Sequence, residues 1–409
     1  MAKNTHLEHL EDSILLDGKQ GALDAFMFLN ELSRVFSTAS SNGMKITTKW
    51  DGAPAVFCGT YPGTNFFFVG TKSIFNKGAK INFTEKDVDN NHGNSPGLAA
   101  KLKDCLKYLP KLGIKGVAQG DLLFTDDKTK KKINNQNCII FQPNTITYCI
   151  PEEDELYGKA ASAKLGVVFH TEYVGNTIES MNAKFGYNVD KLNESNDVLV
   201  LSAETGELGN DTLLTKGEKN SLIGLKQRSN RLVNSASPFL DIVSKQIEAN
   251  DQLTVGPKLK VFFNKYIRDQ IAVPAGNRFV NQFTSYWETE LGKAVAKLKT
   301  PKAKAAKLQK MYDGLDLIED HEASLASCVD LYKIIQNAKS IFIKKLEKGE
   351  RFGTYLRTED GLEMTSPEGY VIIRDGSHAR KLVERARFSA ANFKKDTLPT
   401  KKWVEGDGK

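Results

Sequence analysis

The sequence predicts an α+β fold in which a mixed, mainly antiparallel sheet domain is interrupted by a large helical insertion. Residues 45–172 alternate apolar and polar side chains, are rich in β-branched and aromatic residues, and are bounded by turn residues, which is typical of strands. Residues 178–361 instead carry apolar side chains at three- and four-residue spacing, which indicates amphipathic helices. Strand-like character returns after residue 362, so the sheet domain should receive its last strands from late in the chain.

The first 38 residues predict two helices that pack on the following sheet. Glycines at positions 18 and 21 interrupt an otherwise helical spacing of apolar residues. The positions that recur on one face are Leu7, Leu10, Ile14 and Leu15 before the break, and Ala22, Phe26, Leu29, Leu32 and Phe36 after it.

The sheet domain is assigned to residues 39–177 and 362–409. "GMKITT" (43–48) alternates as a strand does, and "APAVFCGTY" and "NFFFVGTKSIF" are separated by Pro62-Gly63, a hairpin signal. The segments "IKGVAQGDLLFT", "CIIFQPNTITYCI" and "KLGVVFHTEYV" predict further strands, and residues 97–112 predict one helix. Residues 178–361 form the predicted helical insertion, a possible nucleic-acid-binding domain.

The composition is that of a globular protein without a membrane span. The 409 residues are 40% hydrophobic and 26% charged, as in a soluble globular protein, and the formal net charge of +7 gives a mild preference for polyanions. Acidic residues interrupt the N-terminal segment, so it does not look like a signal peptide. No apolar run reaches the length of a membrane span. Five scattered cysteines without a CxxC pair fit a reducing compartment, so a cytoplasmic location without membrane contact is expected.

Four short segments carry residues that a nucleotidyl transfer needs. In "TKWDGAPA", Lys49 lies at the end of a predicted strand and is followed by the Asp51-Gly52 turn, so its side chain can face a cleft. A lysine can attack an α-phosphate, a carboxylate can hold a hard metal ion, and a second lysine can supply positive charge to the same phosphate. Glu368 and Lys381, late in the chain, are the residues of the latter two types.

The order of these motifs resembles that of the covalent nucleotidyltransferases, which are the ATP-dependent DNA and RNA ligases and the mRNA capping enzymes. The matching segments are K-x-D-G (49–52), G-D-L-L-F (120–124), V-F (168–169), E-G-Y-V (368–371) and K-L-V (381–383). The resemblance covers roughly residues 40–175 and 362–395, and leaves out the insertion. It implies an ATP-grasp-like nucleotidyltransferase sheet domain, ATP as the nucleotide, and Mg²⁺ or Mn²⁺ as the metal.

The resemblance also implies a role for individual residues. Lys49 would become a lysyl-nucleotide, Asp51 and Gly52 would shape the turn that aims it, and Lys381 would contact the α-phosphate. Asp121 would contact the ribose or the substrate strand, Phe169 would stack on the base, and Glu368 would hold the metal. The nucleotide-binding residues would be Thr48, Gly52, Lys72, Asp121, Phe169 and Lys381. Each also has an ordinary interpretation: a surface lysine ending a strand, a turn residue, a core aromatic or a solvated charge.

Departures from the family pattern decide the subclass. Pro54 stands where most DNA ligases have an arginine nearby, Thr47 and Thr48 precede Lys49 where many members have a glutamate, and Val383 replaces a frequent second lysine. Little chain follows Lys381, too little for the OB-fold of DNA ligases and capping enzymes. The sequence thus resembles the RNA ligases of tailed phages most, which would place it in the host cytoplasm. A DNA ligase, a capping-type guanylyltransferase and an inactive nucleic-acid-binding relative remain alternatives.

Basic residues outside these motifs are candidates for binding nucleic acid, with RNA favoured over DNA. Basic helices of the insertion are interleaved with Phe262, Tyr266 and Trp287, an arrangement that suits a polynucleotide, although the aromatics could equally be core and the lysines solvated. Of the six histidines, which show no metal-ligand spacing, His170 alone is near the predicted pocket. The candidate residues are Lys77, Lys128, Lys130, Lys131, Lys132, Lys258, Lys260 and Arg268.

Overall fold

The computed structural model describes residues 7–38, 43–205, 209–359 and 361–385, which form a mixed α+β fold with largely antiparallel sheets and a helical region. The strands are β1 (Met44–Lys49), β2 (Ala55–Thr60), β3 (Phe67–Gly70), β4 (Val117–Phe124), β5 (Thr129–Ile133), β6 (Gln136–Phe141), β7 (Ile146–Pro151), β8 (Leu165–Val174), β9 (Asn182–Phe185), β10 (Val198–Ser202), β11 (Gly353–Thr358), β12 (Gly361–Met364), β13 (Gly369–Arg374) and β14 (His378–Leu382).

In the described ranges, two α-helices precede β1, three lie among the strands of the sheet region and five follow β10. They are α1 (Ser13–Leu16), α2 (Gly18–Thr38), α3 (Glu85–His92), α4 (Pro96–Tyr108), α5 (Tyr157–Ser162), α6 (Lys216–Glu248), α7 (Val255–Arg268), α8 (Gly276–Ala296), α9 (Pro301–Asp320) and α10 (Glu322–Leu346). Short 3-10 helices lie at Leu10–Asp12, Lys72–Phe75, Leu109–Leu112, Ile178–Ser180, Val189–Lys191, Asn210–Thr212 and Glu347–Gly349.

The largest sheet has the strand order β10-β8-β4-β2-β3, with β9 paired to the far end of β8. All of its pairings are antiparallel except that of β10 with β8. Helix α4 covers one face, where its apolar side chains join those of β2, β4 and β8 in one buried cluster. Because side chains alternate along a strand, the residues between these buried ones point to the opposite face of the sheet.

A three-stranded sheet joins the two ends of the chain. Its order is β1-β13-β14, and its register places Lys49 opposite Gly369 and Val371 opposite Lys381. Directly opposed residues point to the same side of a sheet. One face of this sheet therefore packs on the hydrophobic core of the helices. The other face carries Thr47, Lys49, Val371 and Lys381.

A five-stranded antiparallel sheet, ordered β12-β11-β7-β6-β5, completes the sheet region. Its β6–β7 turn approaches the end of β1, where the ring of Tyr148 in β7 lies 4.8 Å from that of Trp50 at an interplanar angle of 37°. This contact holds the residues that follow Lys49 against a rigid surface.

The N-terminal helices share one hydrophobic core with α6–α10. The same core includes Met44, Ile46, Tyr370, Ile372 and Leu382 from the three-stranded sheet, so these helices contact the sheet as well as the helical region. No helix in the described ranges has the length and apolar character needed to span a bilayer.

The boundaries of the predicted insertion need correction. Residues 178–361 were expected to be helical, but β9 and β10 extend the largest sheet and β11 pairs with β7. The α-helices of the predicted insertion occupy Lys216–Leu346. The expectation that no OB-fold follows the last motif concerns residues 386–409, which lie outside the described residues.

Candidate active site

Lys49 ends β1 at the edge of a cavity between the three-stranded sheet and the largest sheet. The cavity of about 190 Å³ is bordered by Thr47 and Lys49 on one side and by Asp121 and His170 on the other. About a quarter of the Lys49 side chain is exposed, at 27%, so its amine is accessible without being freely solvated. Lys49 is therefore a partly buried amine that faces open space.

Glu368 forms an ion pair with Lys49 across the β1–β13 edge. The side chain of Glu368 is only 10% exposed, and Lys49 Nζ contacts its Oε1. Burial raises the pKa of Glu368 to about 7; the Lys49 ammonium opposes this shift, and the carboxylates of Asp51 and Asp121 add to it. Two residues that are more than 300 positions apart in the chain thus form one charged unit.

Lys381, on β14, is affected by the charges of Lys49 and Glu368. It lies opposite Val371, on the sheet face that also carries Lys49. Burial lowers the pKa of Lys381, the nearby Lys49 ammonium lowers it further, and Glu368 opposes the change. Of the three residues that the sequence motifs single out, Lys49 and Glu368 are in contact and Lys381 lies on the same sheet face as Lys49, but neither Glu368 nor Lys381 lines the cavity at Lys49.

The segment Leu7–His9 runs beside β14 and closes one end of this region. The backbone N–H of Lys381 donates to the carbonyl of Glu8 at 3.0 Å, and Leu7 lines the cavity. Burial holds the pKa of His9 far below its usual range, and four cations, Lys49 and Lys381 among them, reinforce this. The motif analysis missed this segment, because a pairing of residue 8 with residue 381 leaves no local signal.

Asp51 fixes the turn after Lys49 and does not line the cavity. Its Oδ1 accepts a hydrogen bond from the Asn144 side-chain amide at 2.7 Å. Its Oδ2 accepts from the backbone N–H groups of Thr145 at 2.7 Å and Ile146 at 2.8 Å. Burial raises the pKa of Asp51 and these bonds oppose the shift. The predicted catalytic role is thus corrected to a positioning role, since both oxygens are engaged by the β6–β7 turn.

Gly52 is required by close packing against β4. A Cβ at this position would collide with the Cβ of Asp121, and the N–H of Ala53 donates to the Leu122 carbonyl at 3.0 Å. A side chain at Gly52 would push the turn away from β4. The glycine therefore keeps Asp121 and Lys49 on walls of one cavity.

Asp121 and His170 form the opposite wall. His170 Nε2 lies 3.7 Å from Asp121 Oδ2, and its Nδ1 lies 2.8 Å from the hydroxyl of Thr171. Gln119 also lines the cavity, two positions before Asp121 on the same strand face. The period of two in β4 was the signal that could have identified Gln119.

The prediction that Phe169 stacks on a base is wrong for this structure. Its ring is fully buried in the cluster beneath α4, 5.3 Å from that of Tyr187, and it does not line the cavity. Because side chains alternate along β8, Val168 and His170 face the cavity and Phe169 faces the core.

Thr48 stays a candidate nucleotide contact, whereas Lys72 lies away from both cavities of this region. The Thr48 hydroxyl is 3.4 Å from Glu350 Oε1, on the far side of β1 from Lys49, in a second cavity of about 610 Å³. Thr48 and Trp50 border both cavities. Lys72 is exposed in the 3-10 helix after β3 and lines neither of them.

The predicted nucleic-acid residues separate into engaged and exposed ones. The prediction for Lys128 needs correction. Its ammonium donates to the carbonyls of Ala160, Ala161 and Ala163 at the end of α5, so Lys128 caps the end of that helix. Lys260 lies 3.8 Å from Glu8, and Lys258 is half-buried. The exposed members are Lys77, Lys130, Lys131, Lys132 and Arg268.

A metal ion at this site would need a substrate to supply most of its ligands. Within the described ranges, no group of three or more His, Cys, Asp or Glu side chains could hold a metal ion by itself. Asp51 is engaged by hydrogen bonds, which leaves Glu368 as the carboxylate next to Lys49. Mg²⁺ commonly uses one or two protein carboxylates together with phosphate oxygens and water, and Glu368 suits that arrangement.

Fold and site together define an α+β protein with a charged cleft, in which an ion-paired lysine faces an aspartate and a histidine. The chain belongs to the Family of unknown function (DUF6267), whose model matches residues 4–397. A comparison with curated proteins gives no match, and a comparison with solved structures gives none either.

Proposed function

We propose that this protein is a covalent nucleotidyltransferase, and specifically an ATP-dependent RNA ligase that seals 5′-phosphate and 3′-hydroxyl ends through a lysyl-AMP intermediate. One observation supports this most strongly: Lys49 forms an ion pair with Glu368 and shares a sheet face with Lys381, and the order of the motifs that contain these residues resembles that family. A nucleic-acid-binding relative without chemistry would need neither a nucleophile nor a metal ligand.

In the first step, Lys49 Nζ attacks the α-phosphorus of ATP. The N–P bond forms, the bond to the pyrophosphate oxygen breaks, and the amine loses a proton. Glu368, with a pKa of about 7, is poised to accept that proton or to bind the metal as an anion near neutral pH. A divalent cation held by Glu368 would neutralise charge on the phosphates.

Lys381 has a supporting role in the same step. Its side chain lies on the sheet face of Lys49, and a bound α-phosphate would offset the burial and the Lys49 repulsion that lower the pKa of Lys381. A charged Lys381 would then stabilise the oxygens of the α-phosphate as negative charge accumulates.

The later steps require a polynucleotide. The AMP group passes from Lys49 to a 5′-phosphate oxygen, which restores the amine. A 3′-hydroxyl then attacks the activated phosphorus, forms the phosphodiester bond and releases AMP. Both are phosphoryl transfers in which positioning and charge neutralisation supply most of the catalysis.

The nucleotide must use more space than the cavity at Lys49. That cavity of about 190 Å³ is smaller than typical ligand pockets of roughly 300–1,000 Å³. The second cavity, of about 610 Å³, shares Thr48 and Trp50 with it as lining residues. We propose that the α-phosphate lies at Lys49 and that the remainder of ATP extends past these two residues.

The test is covalent labelling of the protein with α-labelled ATP and Mg²⁺, followed by a denaturing gel. Wild-type protein should retain label and Lys49→Ala should not. Lys45→Ala is the matched control, because Lys45 lies on the same strand and is ion-paired with Glu204. Label that persists in Lys49→Ala would show that the nucleophile is another residue.

The same assay selects among nucleotides and substrates. Incubation with each of the four labelled ribonucleotides should label the protein with ATP, and labelling by GTP alone would indicate a capping-type guanylyltransferase. Sealing assays on matched RNA and DNA nicks should show the higher rate on RNA. Absence of label with every nucleotide would leave an inactive relative as the better account.

A further inference from the structure

A groove between α7 and α8 lies outside the charged cleft and has the chemistry of a polymer-binding surface. Its volume is about 840 Å³. The floor is aromatic, and the walls carry amide and hydroxyl side chains, including Asn281, Gln282 and Ser285.

Three rings form the floor. Phe262 is nearly buried and lies 4.8 Å from the stacked ring of Tyr286 and 5.3 Å from the edge-on ring of Tyr266. Tyr266 and Tyr286 are half-buried and line the groove. Burial raises the pKa of both hydroxyls, so the rings are neutral near pH 7. Neutral aromatic rings that are held by a buried third ring are a suitable stacking surface for bases.

The charges around the groove favour an anionic occupant. Lys265 and Arg278 line it, and Arg268 lies close enough to influence the pKa of Tyr286. Within the part of the chain that the structure describes, none of these three cations forms an ion pair. The lining acids are Asp269 and Glu290, and Glu290 is already paired with Lys293 at 3.1 Å.

Helix α7 connects the groove to the charged cleft. Lys260 and Asn264 lie on another face of this helix from Phe262 and Tyr266, because each pair is spaced by four residues and the two pairs are offset by two. Asn264 accepts a hydrogen bond from Arg385 at 2.5 Å, and Lys260 lies 3.8 Å from Glu8.

We propose that this groove binds single-stranded polynucleotide, with bases stacked on Tyr266 and Tyr286 and phosphates contacted by Lys265, Arg268 and Arg278. Sequence-tolerant binding of a single strand combines such a stacking surface with a cationic border. The groove requires no chemistry at Lys49, so the two proposals stand or fall separately.

The experiment measures binding of a fluorescein-labelled 12-nucleotide oligo(U) to the full chain by anisotropy, without nucleotide. Tyr266→Ala and Tyr286→Ala should each weaken binding by about 5- to 100-fold, as expected for the loss of one stacked base. Tyr286→Phe keeps the ring and should remain within about twofold of wild type.

The charges are tested through the salt dependence of binding. The double variant Arg268→Gln/Arg278→Gln should reduce the slope of log K against log salt by about 1.4, since each lost phosphate contact on a single strand removes about 0.7. The control Lys86→Gln/Lys115→Gln removes two exposed charges from the sheet region and should leave the slope unchanged.

Three results would overturn the proposal. They are unchanged affinity and salt slope in the groove variants, tighter binding of a matched RNA duplex than of oligo(U), and equal competition by poly-glutamate, which would indicate a general polyanion surface. Lys49→Ala should bind oligo(U) like wild type, and the groove variants should still form the lysyl-nucleotide. Failure of the groove is thereby distinguished from failure of the proposed enzymatic reaction.

Discussion

Replacement of Asp51 should destabilise the protein and displace Lys49, even though Asp51 does not border the cavity. Its carboxylate accepts three hydrogen bonds of 2.7, 2.7 and 2.8 Å from the β6–β7 turn. A hydrogen bond to a charged group contributes about 1.5–3 kcal/mol, so the three would contribute roughly 4–9 kcal/mol. Relief from burying the carboxylate and entry of water offset part of this. We expect Asp51→Ala to lower the free energy of unfolding by about 3 kcal/mol.

The asparagine variant separates shape from charge. Asp51→Asn keeps one acceptor oxygen and the side-chain volume, and should lose about half as much free energy of unfolding, roughly 1–2 kcal/mol. Urea unfolding followed by circular dichroism measures both variants, and Asp316→Ala, which removes an exposed carboxylate from α9, is the control. Lysyl-nucleotide formation should fall in the same order. An Asp51→Ala protein as stable as the control would refute the argument that this turn holds Lys49.

Four further outcomes follow from burial and charge. The single-turnover labelling rate should fall as pH drops through about 7, where Glu368 becomes protonated, and a flat profile from pH 6 to 8.5 would contradict this. Because that pKa is raised from 4.5, Glu368 should also lower the free energy of unfolding as pH rises from 4.5 to about 7, which pH-dependent urea titrations of wild type and Glu368→Gln can detect. Lys339→Met should cost about 3–5 kcal/mol in urea unfolding by leaving buried Glu11 unpaired, and Glu11→Leu in the same chain should recover most of it; a neutral single variant would oppose this. Phe169→Leu should lower the free energy of unfolding by about 1 kcal/mol and leave the KM for ATP unchanged. His170→Ala should raise the KM for ATP about 2- to 12-fold. The reverse pattern would restore Phe169 as a base contact.

The sheet strands were largely predictable because each carries its own local pattern. What surrounds them was not. The run "VLVLS" in β10 is a short apolar segment, and its parallel pairing with β8 depends on a partner about 30 positions earlier. Likewise, the apolar face of α2 was evident from its spacing, but the sequence does not state that α6 and α10 cover it. The spacing of apolar residues identifies which face of an element is buried, whereas tertiary packing determines which other element covers that face.

The candidate site shows the same division. The order of motifs predicted that Lys49, Glu368 and Lys381 face one cavity. Lys49 does contact Glu368, but neither Glu368 nor Lys381 lines the cavity at Lys49. Phe169 was assigned to the wrong face, because parity along β8 had to be fixed relative to β4, where a register shift occurs between Gln119 and Gly120.

Lys128 was misassigned for a related reason. In the sequence it belongs to a basic run, but its ammonium reaches carbonyls more than 30 residues away at the end of α5. A charge run reveals neither which member is satisfied by backbone acceptors nor which member is solvated.

The most direct measurement of the central claim is peptide mapping by mass spectrometry after incubation with ATP and Mg²⁺. One AMP should be found on the peptide that contains Lys49, and its yield should collapse in Glu368→Ala and Lys381→Ala while folding is retained. AMP attached to a different lysine, or none at all on a folded wild-type chain, would contradict the account.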